Sequence, residues 1–151
     1  MNRHINKTVL VLAALVWATG CQPPAREAAP LSTEDVAAIK ANLEALVKAG
    51  LASDWDSFFG QFTEDAVWMA SRDLPAVEGL PAMKEGDWVQ ALESELLPVD
   101  IDGRGDLAFA RGTFSLLLDY EGAVKHEGKF VTIHRKQSDE AWCIAVYISS
   151  D

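Results

Sequence analysis

The last third of the chain has the pattern of three long strands separated by two short turns, and this pattern limits the fold more than any other feature. Apolar and β-branched residues dominate 107–120, 124–136 and 141–149, and the polar stretches 119–122 and 138–140 contain turn-forming residues. Strands joined by such short connections pair antiparallel, as a meander. By alternation the core positions are Leu116 and Leu118 together with Trp142, Ile144 and Val146.

The segment before these strands has helical spacing instead. Ser32 predicts the start of a first helix, because its hydroxyl can cap free amides and acidic residues follow it. Apolar residues then recur at helical intervals until about Gly50. A second short helix is expected to carry Trp55, Phe58, Phe59 and Phe62, followed by a strand over 66–70, a third helix between Gly79 and Leu92, and strands from Leu97 onward. Helices first and an antiparallel meander after them predict an α+β fold.

The first twenty residues resemble an export signal. Arg3 and Lys7 precede an apolar run over 8–18, which as a helix would span roughly 16 Å, about half the apolar thickness of a bilayer. It is too short to cross a membrane and has the size of a signal-peptide apolar region. The run ends in Ala-Thr-Gly-Cys, which resembles the bacterial lipoprotein box, so Cys21 is expected to be acylated and to become the mature N-terminus. The alternatives are an ordinary cleaved leader with an incidental cysteine, or a buried helix.

This leader predicts an exported, membrane-anchored protein that faces the periplasm or the cell exterior. Gln22 follows the cysteine in place of the aspartate that resembles an inner-membrane retention signal, which favours the outer membrane in a host that has one. The stretch 21–31, rich in proline and alanine, is predicted to be an extended tether, and 32–151 a single domain. Cys143 would then have no disulfide partner, and its apolar surroundings favour a buried, inert thiol.

The chain is acidic, with 23 acidic and 13 basic residues and a net charge of −10. Loss of Arg3 and Lys7 with the leader would leave 11 basic residues against 23 acidic ones, a net charge of −12. Such a surface repels phosphate backbones and anionic headgroups. The sequence therefore predicts no nucleic-acid partner, and contact with the membrane through the acylated cysteine alone.

Short motifs follow one another in a set order along nearly all of 32–151. They are Asp35 with Ile39, Ala-Ser-Asp-Trp-Asp at 52–56, Phe-Thr-Glu-Asp-Ala-Val-Trp at 62–68, Gly79, Gly-Asp-Leu-Ala at 105–108, Gly-Lys-Phe at 128–130, and Asp139 before Trp-Cys-Ile at 142–144. In this order the chain resembles the nuclear transport factor 2-like superfamily, in particular its SnoaL-like and ketosteroid-isomerase-like small domains. The resemblance implies a cone, in which a strongly curved antiparallel sheet wraps around about three N-terminal helices and leaves a pocket at the open end. It implies little about chemistry, because this fold serves isomerases, cyclases, dehydratases and non-enzymatic modules alike.

The isomerase-like relatives use a carboxylate base on the first strand, with an oxyanion hole of a tyrosine and a protonated acid. In this chain Ala70 stands where the base would fall, four residues after Ala66. Ser71 and Asp73 lie one and three residues further, a spacing that reverses the side-chain direction in an unbroken strand. An isomerase mechanism is therefore disfavoured, and the remaining catalytic candidates are Asp73, His134 and Tyr147.

Other catalytic and metal-binding patterns are missing from the sequence. It has neither a Gly-x-Ser-x-Gly elbow nor a Gly-x-x-x-x-Gly-Lys loop. His126 and His134 are eight residues apart in one predicted strand, so they share a face but stand roughly 26 Å apart if the strand is straight. No single metal ion reaches both. The sequence predicts no metal site and no cofactor.

Strand parity places Trp68 and Ala70 on the pocket side of the sheet, and His134 shares its face with Thr132 and Phe130. Trp68, Ala70 and His134 are therefore the predicted pocket residues, although Trp68 also fits a plain core position. The stretches 116–118 and 144–148 are apolar on both sides. A sheet with one solvated face should alternate, so the convex face is expected to be covered by a second copy in a homodimer.

Two functions remain open at this point. One is a lipid-anchored, non-catalytic pocket domain that binds a small apolar molecule or a protein partner. The other is a SnoaL-like enzyme that performs isomerase, cyclase or dehydratase chemistry on a small hydrophobic substrate. The missing base at Ala70 favours the first.

Overall fold

The computed structural model describes residues 28–70, 74–120 and 122–150. In chain order the elements are α1 (Thr33–Ala52), α2 (Trp55–Phe59), β1 (Phe62–Met69), β2 (Val77–Glu78), α3 (Leu80–Lys84), β3 (Ala91–Arg104), β4 (Leu107–Leu118), β5 (Val124–Lys136) and β6 (Trp142–Ser150). The strands form one sheet in the order β2-β1-β6-β5-β4-β3. It is curled but not closed, and the predicted α+β fold is confirmed. Its β1–β6 pair is parallel, while all other pairs are antiparallel.

The predicted start of α1 is confirmed. The Ser32 hydroxyl accepts a hydrogen bond from the Asp35 amide at 3.0 Å, and the Asp35 carboxylate accepts one from the Ser32 amide at 3.1 Å, which completes a capping box. The same carboxylate accepts a bond from the Trp142 indole at 2.9 Å and lies 3.2 Å from the Lys136 ammonium. These contacts, led by the Trp142 bond, hold the pKa of Asp35 well below its usual range. One residue thus caps α1 and fastens it to β5 and β6.

The buried core lies between the helices and the concave face of the sheet. From α1 it takes Ile39, Leu43 and Leu46, and from α2 it takes Phe58 and Phe59. The sheet contributes Phe62, Ala66, Ala108, Ala110, Phe130, Trp142 and Ile144. Small residues on β4 let the sheet curve closely. A Cβ at Gly112 would collide with the backbone carbonyl of Leu97 on β3, beside a register shift between Pro98 and Asp100.

Three sequence expectations about element boundaries are wrong. Phe62 begins β1 instead of lying on the second helix, because that helix ends at the Gly60 C-cap. The third helix has only five residues, because the Gly86 amide and the Trp88 indole both bond to the Met83 carbonyl and end it. The sheet then resumes at Ala91, well before Leu97.

The end of the predicted tether packs onto the domain. Pro30 forms an isolated bridge with Arg104, and the Gly105 amide donates to the Ala29 carbonyl at 2.8 Å. Leu31 packs against the core. The described domain therefore begins a few residues before Ser32.

A bulge in β6 changes which side chains enter the core. Ile133 pairs with Val146 and His134 pairs with Ile144, so Ala145 has no counterpart on β5. The extra residue reverses the alternation of β6 beyond it. As a result Tyr147 is buried on the concave side, and Val146, predicted as core, lies on the convex side with Ile133.

None of the described helices has both the length and the apolar character needed to cross a membrane.

Candidate functional site

A cavity of about 340 Å³ opens at one end of the concave face. The C-terminal half of α1, the short helix α2, and parts of β1, β3, β4, β5 and β6 surround it. Most of the side chains that line it are aromatic or aliphatic: Leu46, Val47, Trp55, Phe58, Trp68, Ala70, Trp88, Val89, Ala91, Leu96, Phe114, Leu116, Leu118 and Tyr147. Its size and apolar character are those of a small-molecule pocket.

Aromatic rings from three elements and one loop build one wall. Trp68 stacks on Tyr147 with centroids 4.3 Å apart and planes only 7° from parallel. Trp88, on the loop before β3, packs at 87° to Trp68 with centroids 5.2 Å apart. Trp55 and Phe58 lie 6.0 and 5.3 Å from the Trp88 ring. The Trp88 indole is fixed by its bond to the Met83 carbonyl at 2.7 Å, so the wall is preorganised.

The hydroxyl of Tyr147 is the buried ionisable group of this wall. Burial raises the pKa of Tyr147 to about 12, and the neighbouring Ser149 opposes that rise only in part. The Ser149 hydroxyl itself donates to the Ala70 carbonyl at 3.3 Å. Tyr147 is therefore a neutral phenol at physiological pH, able to donate or accept a hydrogen bond within the cavity.

The charged residues of the cavity lie at its solvent side. Asp87 and Glu95 line it and are both exposed, as is Tyr120. His126, on β5, is half-buried. Among the described residues, no group of three or more His, Cys, Asp or Glu side chains is arranged to hold a metal ion.

No family model and no curated protein matches this chain. Solved structures do match it. A ketosteroid isomerase-like protein from Erwinia carotovora atroseptica SCRI1043 aligns at 20% identity over 79% of this chain and 97% of its own, with a TM-score of 0.65. An NTF-2-like protein of unknown function from Shewanella oneidensis MR-1 aligns at 20% identity over 77% and 98%, with a TM-score of 0.62. An NTF2-like protein of unknown function from Pseudomonas putida KT2440 aligns at 19% identity over 80% and 88%, with a TM-score of 0.64.

The chain has the nuclear transport factor 2-like fold. Sequence identities near 20% support a shared fold but not a shared activity. What this domain does must therefore be argued from its own cavity.

The structure brings together part of the predicted site. Trp68, Ala70 and Tyr147 line the cavity side by side, as strand parity suggested for the first two. Asp73, the carboxylate candidate, lies outside the described residues. His134 was predicted to line the pocket, and the structure places it elsewhere, because it sits at the far end of β5 from the opening.

His134 belongs to the closed end of the domain. It is fully buried, and its Nε2 lies 2.9 Å from the Thr132 hydroxyl, while no described residue bonds to its Nδ1. Burial lowers the pKa of His134 to about 4, so the ring is neutral under ordinary conditions.

Sequence reasoning missed several cavity residues. His126 could have been found, because it shares a strand face with Phe130 and lies toward the end of β5 that meets the opening. Phe58, which is buried in the core, and Trp55, which is partly buried and packs against the core, also line the cavity. Nothing in the sequence indicated that Trp88 lines the cavity. Its segment was expected to be helical, and it lies on a loop only because α3 ends earlier than predicted.

Proposed function

We propose that this chain is an exported, lipid-anchored pocket domain that binds a small, largely apolar molecule and does not transform it. The observation that carries the proposal is the preorganised aromatic wall of Trp68, Tyr147 and Trp88 around a cavity large enough for a small ligand. Burial of an apolar ligand surface there contributes roughly 25 cal/mol per Å². Uncharged polar groups such as Tyr147 can orient the ligand.

The groups at the cavity support binding better than proton transfer. A general base is usually a carboxylate or histidine held out of water beside the reacting atom. Here Asp87 and Glu95 are exposed, Ala70 lines the wall at the position of the isomerase-type base, and the pKa of Tyr147 is raised to about 12. The SnoaL-like enzymatic alternative would rest on His126, whose half-buried imidazole lines the cavity.

Binding can be tested with N-phenyl-1-naphthylamine, a neutral probe whose emission rises in apolar surroundings. We expect saturable emission with the purified full chain and concurrent quenching of tryptophan fluorescence. Trp68→Ala should weaken binding at least tenfold. Because loss of a buried tryptophan costs about 3–5 kcal/mol, its folding is checked by circular dichroism.

Ala70→Phe provides a second variant that fills the cavity instead of emptying it. It should also weaken the probe tenfold or more, and Trp142→Phe, in the core away from the cavity, should not. All variants share residues 1–27, so any probe bound there cancels in the comparison. Wild-type affinity in both cavity variants would refute the pocket.

The anchoring part of the proposal rests on the sequence at Cys21, outside the described residues. Cys21→Ser should abolish acylation and move the protein from the membrane to the soluble fraction. Cys143→Ser is the matched control, since the chain has two cysteines and Cys143 lies within β6. A Cys21→Ser protein that still sediments with membranes as a full-length chain would contradict lipid anchoring.

A second copy of the chain is the proposed partner of the convex face. That face carries two neighbouring rows of paired apolar residues: Val67, Val146, Ile133 and Phe109 in one, and Met69, Ile148 and Val131 in the other. All are half-buried or exposed in the described chain. Contiguous apolar surface of this kind favours association.

A further inference from the structure

The charged side chains that line the cavity itself have a single sign. Asp87 and Glu95 line it, and among the described lining residues there is no lysine or arginine. The whole chain adds to this field with its net charge of −10. An apolar molecule carrying a carboxylate or sulfonate would bring its anion close to these carboxylates, with no lysine or arginine of the lining to pair with it.

The aromatic wall adds a second attraction for positive charge. The faces of indole and phenol rings are negative, and a cation within about 6 Å of a ring centroid is stabilised. Trp55, Trp68 and Phe58 are inclined at 42°, 87° and 52° to Trp88, so ring faces are turned in several directions instead of one. Because these centroids are 5.2 to 6.0 Å apart, a positive group at this wall lies close to more than one ring.

Aromatic rings elsewhere in this domain already accept cations. The Lys84 ammonium lies 5.8 Å from the centroid of Phe59, in a neighbouring hollow that shares Trp55, Asp87 and Trp88 with the cavity. The Lys136 ammonium lies 5.9 Å from the centroid of Trp142.

From this we propose that the ligand is an organic cation: an apolar body carrying a quaternary ammonium or protonated amine. The inference rests on the proposed function, since it names the ligand class for the same cavity. The apolar body packs among Leu116, Leu118 and Phe114, while the ammonium lies against the tryptophan wall toward Asp87, which precedes Trp88. The ring faces provide most of the preference, because exposed carboxylates are screened by water and salt.

Three probes of one shape separate charge from apolar contact: benzyltrimethylammonium, its neutral isostere neopentylbenzene, and benzylsulfonate. Each is used to displace N-phenyl-1-naphthylamine from the purified full chain at low and at physiological salt. We expect benzyltrimethylammonium to bind about tenfold tighter than neopentylbenzene, equivalent to ~1.4 kcal/mol. Benzylsulfonate should bind weakest of the three.

The variants Asp87→Asn and Glu95→Gln together should lower the affinity for the cation about threefold at low salt and leave that for neopentylbenzene unchanged. Glu93→Gln is the matched control, because Glu93 is an exposed carboxylate on the same strand that does not line the cavity. Equal binding of the cation and its neutral isostere, or tighter binding of the sulfonate, would overturn the inference and leave the pocket intact. Failure of N-phenyl-1-naphthylamine itself to bind would instead overturn the proposed function.

Discussion

His134 makes the domain sensitive to acid. In the folded state its pKa is lowered to about 4 from the ordinary 6.5, and the ring is fully buried. As the pH falls below 6.5, His134 becomes protonated in the unfolded chain but stays neutral in the folded chain. The free energy of unfolding therefore decreases. The loss between pH 7 and pH 5 should be about 2 kcal/mol.

The measurement is urea unfolding at pH 7, 6 and 5, with His134→Gln as the test variant. Glutamine is neutral at every pH and can bond to Thr132. The free energy of unfolding of the variant should therefore fall much less between pH 7 and pH 5 than that of the wild type. The control is His126→Gln, at the partly exposed histidine of the same strand, and its free energy of unfolding should fall with pH as in the wild type. The contribution of Asp35 does not interfere, because its lowered pKa stabilises the fold above its ordinary 3.8 and is lost only below that pH. An unchanged pH dependence in His134→Gln would refute a neutral buried ring.

At the scale of elements, sequence reasoning worked where local chemistry decides. The capping box at Ser32 fixes the start of α1, and the strand β5 has the bounds its alternation predicted. It failed where a boundary depends on distant contacts. The indole of Trp88 ends α3 by bonding to Met83, and helical spacing alone contains no sign of that bond.

The residues of the candidate site could likewise be predicted only where local strand alternation decides their position. Parity along β1 was enough to place Trp68 and Ala70 at the cavity. Parity along β6 was not, because the unpaired Ala145 shifts Tyr147 to the concave side and Val146 to the convex side. On β5 the predicted face of His134 was correct. Strand parity, however, does not tell which end of a strand lies at the opening of the cavity.

At the scale of the whole molecule, the two apolar rows of the convex face predict a homodimer. In an isologous dimer each row meets its counterpart, and the apolar contact is opposed by repulsion between two acidic chains. The dimer should therefore strengthen when salt screens that repulsion. Sedimentation of the purified full chain at low and moderate salt measures this directly.

Val131→Asp places a carboxylate at the β5 end of the second apolar row, at a partly exposed position, and should shift the equilibrium to monomer. Leu74→Asp, at an exposed leucine outside the face, is the control. A single monomeric species at micromolar concentrations in both salts would rule the dimer out.

The central claim is that the aromatic cavity of this domain is a ligand-binding site, and the indole N–H signals of its tryptophans test it most directly. The chain has five tryptophans, of which Trp55, Trp68 and Trp88 line the cavity, while Trp142 is bonded to Asp35 in the core. Titration with N-phenyl-1-naphthylamine, followed by nitrogen–proton correlation spectra with signals assigned by single Trp→Phe variants, should shift the three cavity signals along one saturation curve. The Trp142 signal should stay in place. Three unmoved cavity signals, or a Trp142 signal that moves as far as they do, would contradict the account.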